Sequence, residues 1–169
     1  MKFFSANLET LRELYHNQLR MLLSAEQQIT QALPKLIEKA TDAQLKQVLQ
    51  SHLQETFVHV TRLQQVLNEE THDPEAHHCK VLPALLAEGE DMIKHSPDES
   101  VRDAAMIAAA QRVEHYEIAA YGAVREWARI LGASEHARLL DQTIQEEGHA
   151  DHLLTAIASR INADADRAA

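Results

Sequence analysis

Apolar positions recur at intervals of three and four along four long stretches of this chain, separated by polar breaks. In the first stretch Leu8, Leu11, Tyr15, Leu22, Glu26, Ile29, Leu33 and Leu36 share one repeat, with Gln18 in the single gap. This is the inward stripe of an amphipathic bundle helix. Pro34 predicts a kink or a loosened last turn. Thr41 with Gln44 reads as a capping box opening a second helix, whose stripe is Leu45, Leu49, His52, Thr56, His59, Leu63 and Val66, with Glu55 on its flank. The polar run 69–80, carrying Pro74, predicts a loop, and "VLPALLAEGEDMIKH" a short crossover helix. In "SPDES", Ser96 as N-cap, Pro97 at the first helical position and Glu99 at the third predict the start of the third long helix. That helix is expected to end near Leu131 with Gly132 as its C-terminal cap. Ser134 opens the fourth, whose stripe is Leu140, Ile144, Glu147, Asp151, Leu154 and Ala158, and the tail "NADADRAA" is expected to fray.

Two short turns and one long crossover make a pair of antiparallel helical hairpins, the connectivity of ferritin-like bundles. The expected fold is therefore all-α: a four-helix bundle with an extra short helix in the crossover, as one domain over residues 1–169. Composition agrees. Glycine and proline number four each among 169 residues, and good helix formers dominate.

A net charge of −10 argues against nucleic acid and anionic membrane surfaces as partners. The lone cysteine, Cys79, excludes an internal disulfide framework and fits a reducing compartment. The opening "MKFFSANLETLRELYH" turns polar too soon for a signal peptide, and no apolar run approaches the roughly 20 residues of a bilayer span. A cytoplasmic protein is expected.

The stripes themselves pose the chemical question, because they carry charge. Glu114 and Glu117 lie on the stripe that holds Ala110, Tyr121 and Val124. Residues equally distant from a hairpin turn sit at equal height. Glu26 and Glu55 are 55 − 26 = 29 residues apart about the first turn, and Glu117 and Glu146 are 146 − 117 = 29 apart about the second. Each carboxylate then lies about 22 Å from its turn. Several buried carboxylates at one level are costly unless cations neutralise them. A dinuclear metal centre does so, held in known bundles by a Glu from each of two helices and Glu-x-x-His from the other two. Glu146 and His149 have that spacing. In the second helix His52 lies three before Glu55 and His59 four after, both near the face of Glu55, so that either of them or neither is a metal ligand. Glu147 competes with Glu146, since helix phase is open by one residue. Carboxylate with imidazole suits iron or manganese better than zinc. The loop residues His72, His77, His78 and Cys79 read as a flexible polar loop, and Tyr15, Tyr116, Tyr121 and Trp127 as core or interface aromatics.

The segments "LLSAEQQITQALPKLIEKA", "SHLQETFVHVTRLQQV", "AAMIAAAQRVEHYEIAAYG" and "DQTIQEEGHADHLL" resemble the YciE/YciF-type bacterial stress-response proteins, a branch of the ferritin-like superfamily, over about residues 5–160. The resemblance implies a dimer with a di-iron site. By the family's pattern Glu26, Glu55, Glu114, Glu117 and Glu146 are its carboxylate ligands and His52 its second-helix histidine; in the mechanism expected here, Glu55 and Glu146 bridge the two ions. His149 resembles the last-helix histidine of bacterioferritin-type sites. The expected function is stress-related handling of iron, oxygen or peroxide at two iron (or manganese) ions, with any electron donor a separate protein. The competing expectation is a non-catalytic bundle or scaffold with structural metal or none.

Overall fold

In a computed structural model describing residues 8–167, five helices follow the predicted order: α1 (Leu11–Lys39), α2 (Ala43–Thr71), α3 (Val81–Lys94), α4 (Glu99–Ile130) and α5 (Ser134–Arg167). Hairpin α1/α2 packs against hairpin α4/α5, and the crossover helix α3 lies on α4 and α1. This is the four-helix bundle with a crossover piece that the patterning predicts. None of the helices among the described residues is long and apolar enough to cross a membrane.

The helix ends are set differently from expectation at several points. Leu8 precedes α1 and is exposed; Thr10 and Glu13 form the capping box that starts the helix. Pro34 lies within α1, which continues to Lys39. Asp42, not Thr41, caps α2 by accepting from the amides of Gln44 and Leu45. Asp98, not Ser96, caps α4 through the amides of Ser100 and Val101, while the Ser96 hydroxyl donates to the Met92 carbonyl. In both cases a carboxylate takes the cap from a hydroxyl, adding charge complementarity to the helix N-terminus. α2 also runs to Thr71, so the crossover loop is shorter than expected, and α5 runs unbroken to Arg167 instead of fraying. Ala168 and Ala169 lie outside the described residues. Gly132 behaves as predicted: at φ 79° it carries a Schellman closure, in which Ala133 N donates to Ala128 O and Gly132 N to Arg129 O.

Thr41 has been recruited across the bundle. Buried Asp103 of α4 accepts from the Thr41 amide at 3.0 Å, the Thr41 hydroxyl at 2.7 Å and the Asp42 amide at 2.7 Å, pinning the α1–α2 turn to the second hairpin. Asp103→Ala leaves those donors without their acceptor and is expected to destabilise the fold by about 3 kcal/mol. Urea denaturation at constant slope measures it; a loss under about 0.5 kcal/mol, the level of an ordinary surface change, contradicts the pinning role.

The core is divided. One apolar cluster contains Ile29, Leu33, Leu45, Leu49, Met106, Val113 and Leu154 and is covered by α3 through Leu82 and Ile93. The other contains Tyr15, Leu19, Leu63, Val66, Tyr121, Val124 and Leu140. On all four long helices the boundary between the two falls at buried polar residues: Glu26 on α1, His52, Thr56 and His59 on α2, Glu114 and Glu117 on α4, and Thr143 and Glu147 on α5. The bundle is two apolar slabs with an ionisable layer between them.

Candidate metal centre

Each member of this layer occupies an inward position of its own stripe. Side chains seven residues apart return to nearly the same face of a helix. Glu147 accordingly lies in line with Leu140 and Leu154, and His52 and His59 point the same way from α2. Glu114 and Glu117 are one turn apart on α4, and Glu26 enters from α1.

Two overlapping groups result. His52, Glu114, Glu117 and Glu147 bring ligand atoms within 4.8 Å of one another, as do Glu26, His59 and Glu147. Glu147 belongs to both. Its Oε2 lies 3.8 Å from His52 Nε2, and its Oε1 lies 2.9 Å from His59 Nδ1. His52 Nε2 is 3.4 Å from Glu114 Oε1, and His59 Nδ1 is 3.4 Å from Glu26 Oε1.

The polar atoms here are poorly satisfied. Among the described residues ten buried side-chain nitrogen and oxygen atoms lack a hydrogen-bond partner, and eight belong to this cluster: one each from Glu26, His52, His59 and Glu114, and two each from Glu117 and Glu147. His59 Nδ1, though close to Glu147 and Glu26, is aligned for a hydrogen bond with neither. Such an orphan costs about 1–3 kcal/mol, and a bound cation would occupy these lone pairs.

The titration behaviour says the same. Burial first, then the charges of Glu147 and Glu26, hold the Glu114 carboxyl well above the ordinary range. Burial, then Glu26 and Glu147, do so for Glu117. Burial also raises Glu26, against the opposing pull of His59. For Glu147 burial is outweighed by His59 and His52, and its pKa is lowered. Burial opposes protonation of His59, but Glu147 and Glu26 overcome it and lift its pKa to about 10.

A metal pair fits these residues. Four carboxylates, Glu26, Glu114, Glu117 and Glu147, carry −4 when ionised, which two divalent cations balance, and two neutral imidazoles complete an oxygen-rich donor set. That chemistry suits iron or manganese. Flanking carboxylates face the remote nitrogen of each histidine. Glu146 Oε2 lies 2.9 Å from His59 Nε2, and Glu55 Oε2 lies 3.8 Å from His52 Nδ1. A carboxylate behind a ligating imidazole fixes its orientation and raises its basicity. Glu146 is itself held by Arg62, whose Nη2 donates to Oε1 at 2.9 Å. On the other side the Tyr121 hydroxyl donates to Glu26 Oε1, leaving Glu26 Oε2 without a partner.

The structure thus gathers Glu26, His52, Glu114 and Glu117 of the expected set, and corrects three placements. Glu146 is not in the cluster: one residue turns a helix by about 100°, which puts its side chain, 32% exposed, against Arg62 and His59 while Glu147 faces inward. Glu55, 33% exposed, flanks the cluster behind His52 and joins neither ligand group. His149 is exposed on the outer face of α5. His59, left open with His52 and His149 by the sequence, is fully buried among the acids. The signal for it is its place on the α2 stripe, two turns after His52. Cys79 is buried, with its amide on Ser24 Oγ and its thiol 3.3 Å from the Tyr116 hydroxyl; it and the loop histidines join neither group.

Residues 10–166 match the family described as a domain of unknown function, DUF892. The chain is 37% identical over 165 residues to the protein YciF of Escherichia coli K12, covering 96% of this chain and 99% of that one. The crystal structure of the E. coli stress protein YciF superposes with a TM-score of 0.86, covering 90% of this chain and 97% of that one. YcfI of Rhodopseudomonas palustris, described as a candidate structural protein, is 42% identical with a TM-score of 0.87, covering 90% of this chain and 98% of that one. With a family match spanning nearly the whole length and a relative of this similarity, the chain belongs to the DUF892 family, the family of YciF.

Proposed function

We propose that this chain is a ferritin-like dinuclear metalloprotein of iron or manganese that handles iron, oxygen or peroxide under stress. The observation that carries the reading is Glu147, whose two oxygens face two different ligand groups, so that it would be a ligand in both. One ion would be held by His52, Glu114, Glu117 and Glu147, the other by Glu26, His59 and Glu147. Such a pair, when bound, supplies one-electron redox chemistry toward dioxygen or peroxide.

The chain's own residues do the rest. The two apolar slabs exclude water from the layer, which strengthens electrostatic interactions within it. Glu146, partly exposed and anchored by Arg62, connects buried His59 Nε2 with solvent and can pass a proton to or from that atom. Tyr121 donates to Glu26 Oε1, the oxygen that also lies 3.4 Å from His59 Nδ1, and so fixes that carboxylate beside the cluster. The same proposal includes a cytoplasmic homodimer, which sedimentation would read as twice the chain mass, and a separate electron-donor protein.

Elemental analysis of protein purified without chelator tests the reading. It predicts about two iron or manganese ions per chain, the complement of a dinuclear site. His52→Ala and His59→Ala should each lower that number, and His149→Ala should leave it unchanged. A folded, iron- and manganese-free protein that takes up neither metal on addition favours the non-catalytic bundle instead, the reading nearer to the description of the R. palustris relative.

A further inference from the structure

Between α1, α3 and α4 lies an apolar cavity of about 50 Å³, partly open to the surface. Ile29, Leu33, Leu85, Leu86 and Val113 form much of its wall. Exposed Glu90 stands at its outer side, and buried His52 and Glu114, members of the metal-ligand cluster, line its inner side. Loose packing does not account for it. α3 sits so close to α4 that a Cβ built on Gly89 would lie 2.9 Å from the Ala109 Cβ.

We propose that this cavity binds a small nonpolar molecule the size of dioxygen and presents it to the His52–Glu114 edge of the centre. The use of the molecule rests on the dinuclear reading; its binding does not. Water needs two to four polar partners to occupy a cavity. Here the inward polar groups are His52 and Glu114: His52 Nε2 lies 3.4 Å from Glu114 Oε1 and His52 Nδ1 faces Glu55, so Glu114 Oε2 is the unpartnered atom left to a water, and the rest of the wall is hydrocarbon apart from Glu90 at the outer side. A cavity of this kind stays dry. Its interior is a third of the ~150 Å³ that accommodates benzene, a size that suits a diatomic or noble gas. Peroxide, which carries its own hydrogen-bonding groups, is disfavoured by the same wall. The crossover helix supplies Leu85, Leu86, Gly89, Glu90 and Ile93 to the lining, which gives α3 a purpose that a plain four-helix bundle lacks.

Xenon is the probe, since it reports gas-sized apolar space whether or not metal is bound. Crystals of the full chain under xenon pressure are expected to show an atom between Ile29, Leu86 and Val113, with metal present or removed. Leu86→Trp and Ala32→Leu fill the cavity from opposite walls, so one remains informative if the other misfolds. Each should weaken xenon binding by about tenfold or more, as overpacking a filled site does. Each should also slow dioxygen consumption by the Fe(II)-loaded protein by about the same factor, with Mn(II) stoichiometry unchanged. Ordered water in the cavity, no xenon at saturating pressure, or undiminished oxygen consumption in both folded variants overturns the proposal. Xenon bound in a chain that takes up no metal upholds the gas pocket and refutes the dinuclear reading, whereas two metals without xenon do the reverse.

Discussion

Glu147→Ala is expected to abolish tight binding of both metal ions, while Glu146→Ala keeps two ions bound with about 10–100-fold lower affinity. The two glutamates are neighbours in sequence and have opposite surroundings. Glu147 is fully buried, and its oxygens face His52 on one side and His59 on the other, so its loss removes a ligand from both groups at once. Glu146 touches His59 from behind and is otherwise paired with Arg62, so its loss only frees the imidazole to rotate. Both variants should keep their helical circular dichroism, since neither side chain belongs to an apolar slab. Titration calorimetry with Mn(II) on the dialysed proteins separates them. A reversed outcome, with Glu147→Ala retaining two ions and Glu146→Ala losing both, would mean that α5 presents the other face.

The second large effect is an inverted pH dependence in the metal-free protein. An ordinary acidic protein gains stability as its paired carboxylates ionise. Here the buried carboxyls of Glu26, Glu114 and Glu117 titrate above 4.5 in the folded state, and His59 is raised from 6.5 to about 10. Above the unfolded values the native state holds more protons than the unfolded one, so stability falls as pH rises. The His59 contribution is fully present below 6.5 and is lost as pH rises through about 10. Groups of lowered pKa, such as Glu147, Glu69 and Glu70, have already delivered their contribution above 4.5 and do not offset the trend. The melting temperature in EDTA should therefore decline steadily from about pH 5 to about pH 9. Metal needs the deprotonated ligands and binds more tightly as pH rises. Mn(II) at 1,000 times its Kd should then add about 4 kcal/mol and flatten or reverse the slope. A metal-free protein whose stability is level or rises across that window, and which Mn(II) leaves unchanged, contradicts the electrostatic account.

The α2 stripe was legible residue by residue: Leu45, Leu49, His52, Thr56, His59, Leu63 and Val66 are all buried as the period demands. Burial is set by azimuth around the helix, and azimuth is what a repeat of threes and fours measures. Equal distance from a turn measures height alone. Matching Glu117 in height points to Glu146, although the α5 stripe already carries Glu147. The neighbour differs by only about 1.5 Å in height but by about 100° in direction, and burial of the stripe decides between them. The Glu-x-x-His spacing misleads in the same way, since following it puts both Glu146 and His149 off the inward face. The caps failed for another reason. Thr41 and Ser96 have suitable local chemistry, but Thr41 is claimed by Asp103 from 62 residues away, a contact no local motif contains. The cavity beside His52 was also illegible, because it depends on how α3 seats against two helices that are distant in sequence.

Anomalous diffraction from crystals grown with Mn(II) or Fe(II), recorded on both sides of the metal's absorption edge, tests the central claim most directly. The account predicts two peaks about 3.5–4 Å apart, one among His52, Glu114, Glu117 and Glu147 and the other among Glu26, His59 and Glu147. Glu147 should lie between them. No ordered metal in the layer at saturating concentration, or metal confined to the outer face of α5 near His149, would contradict it.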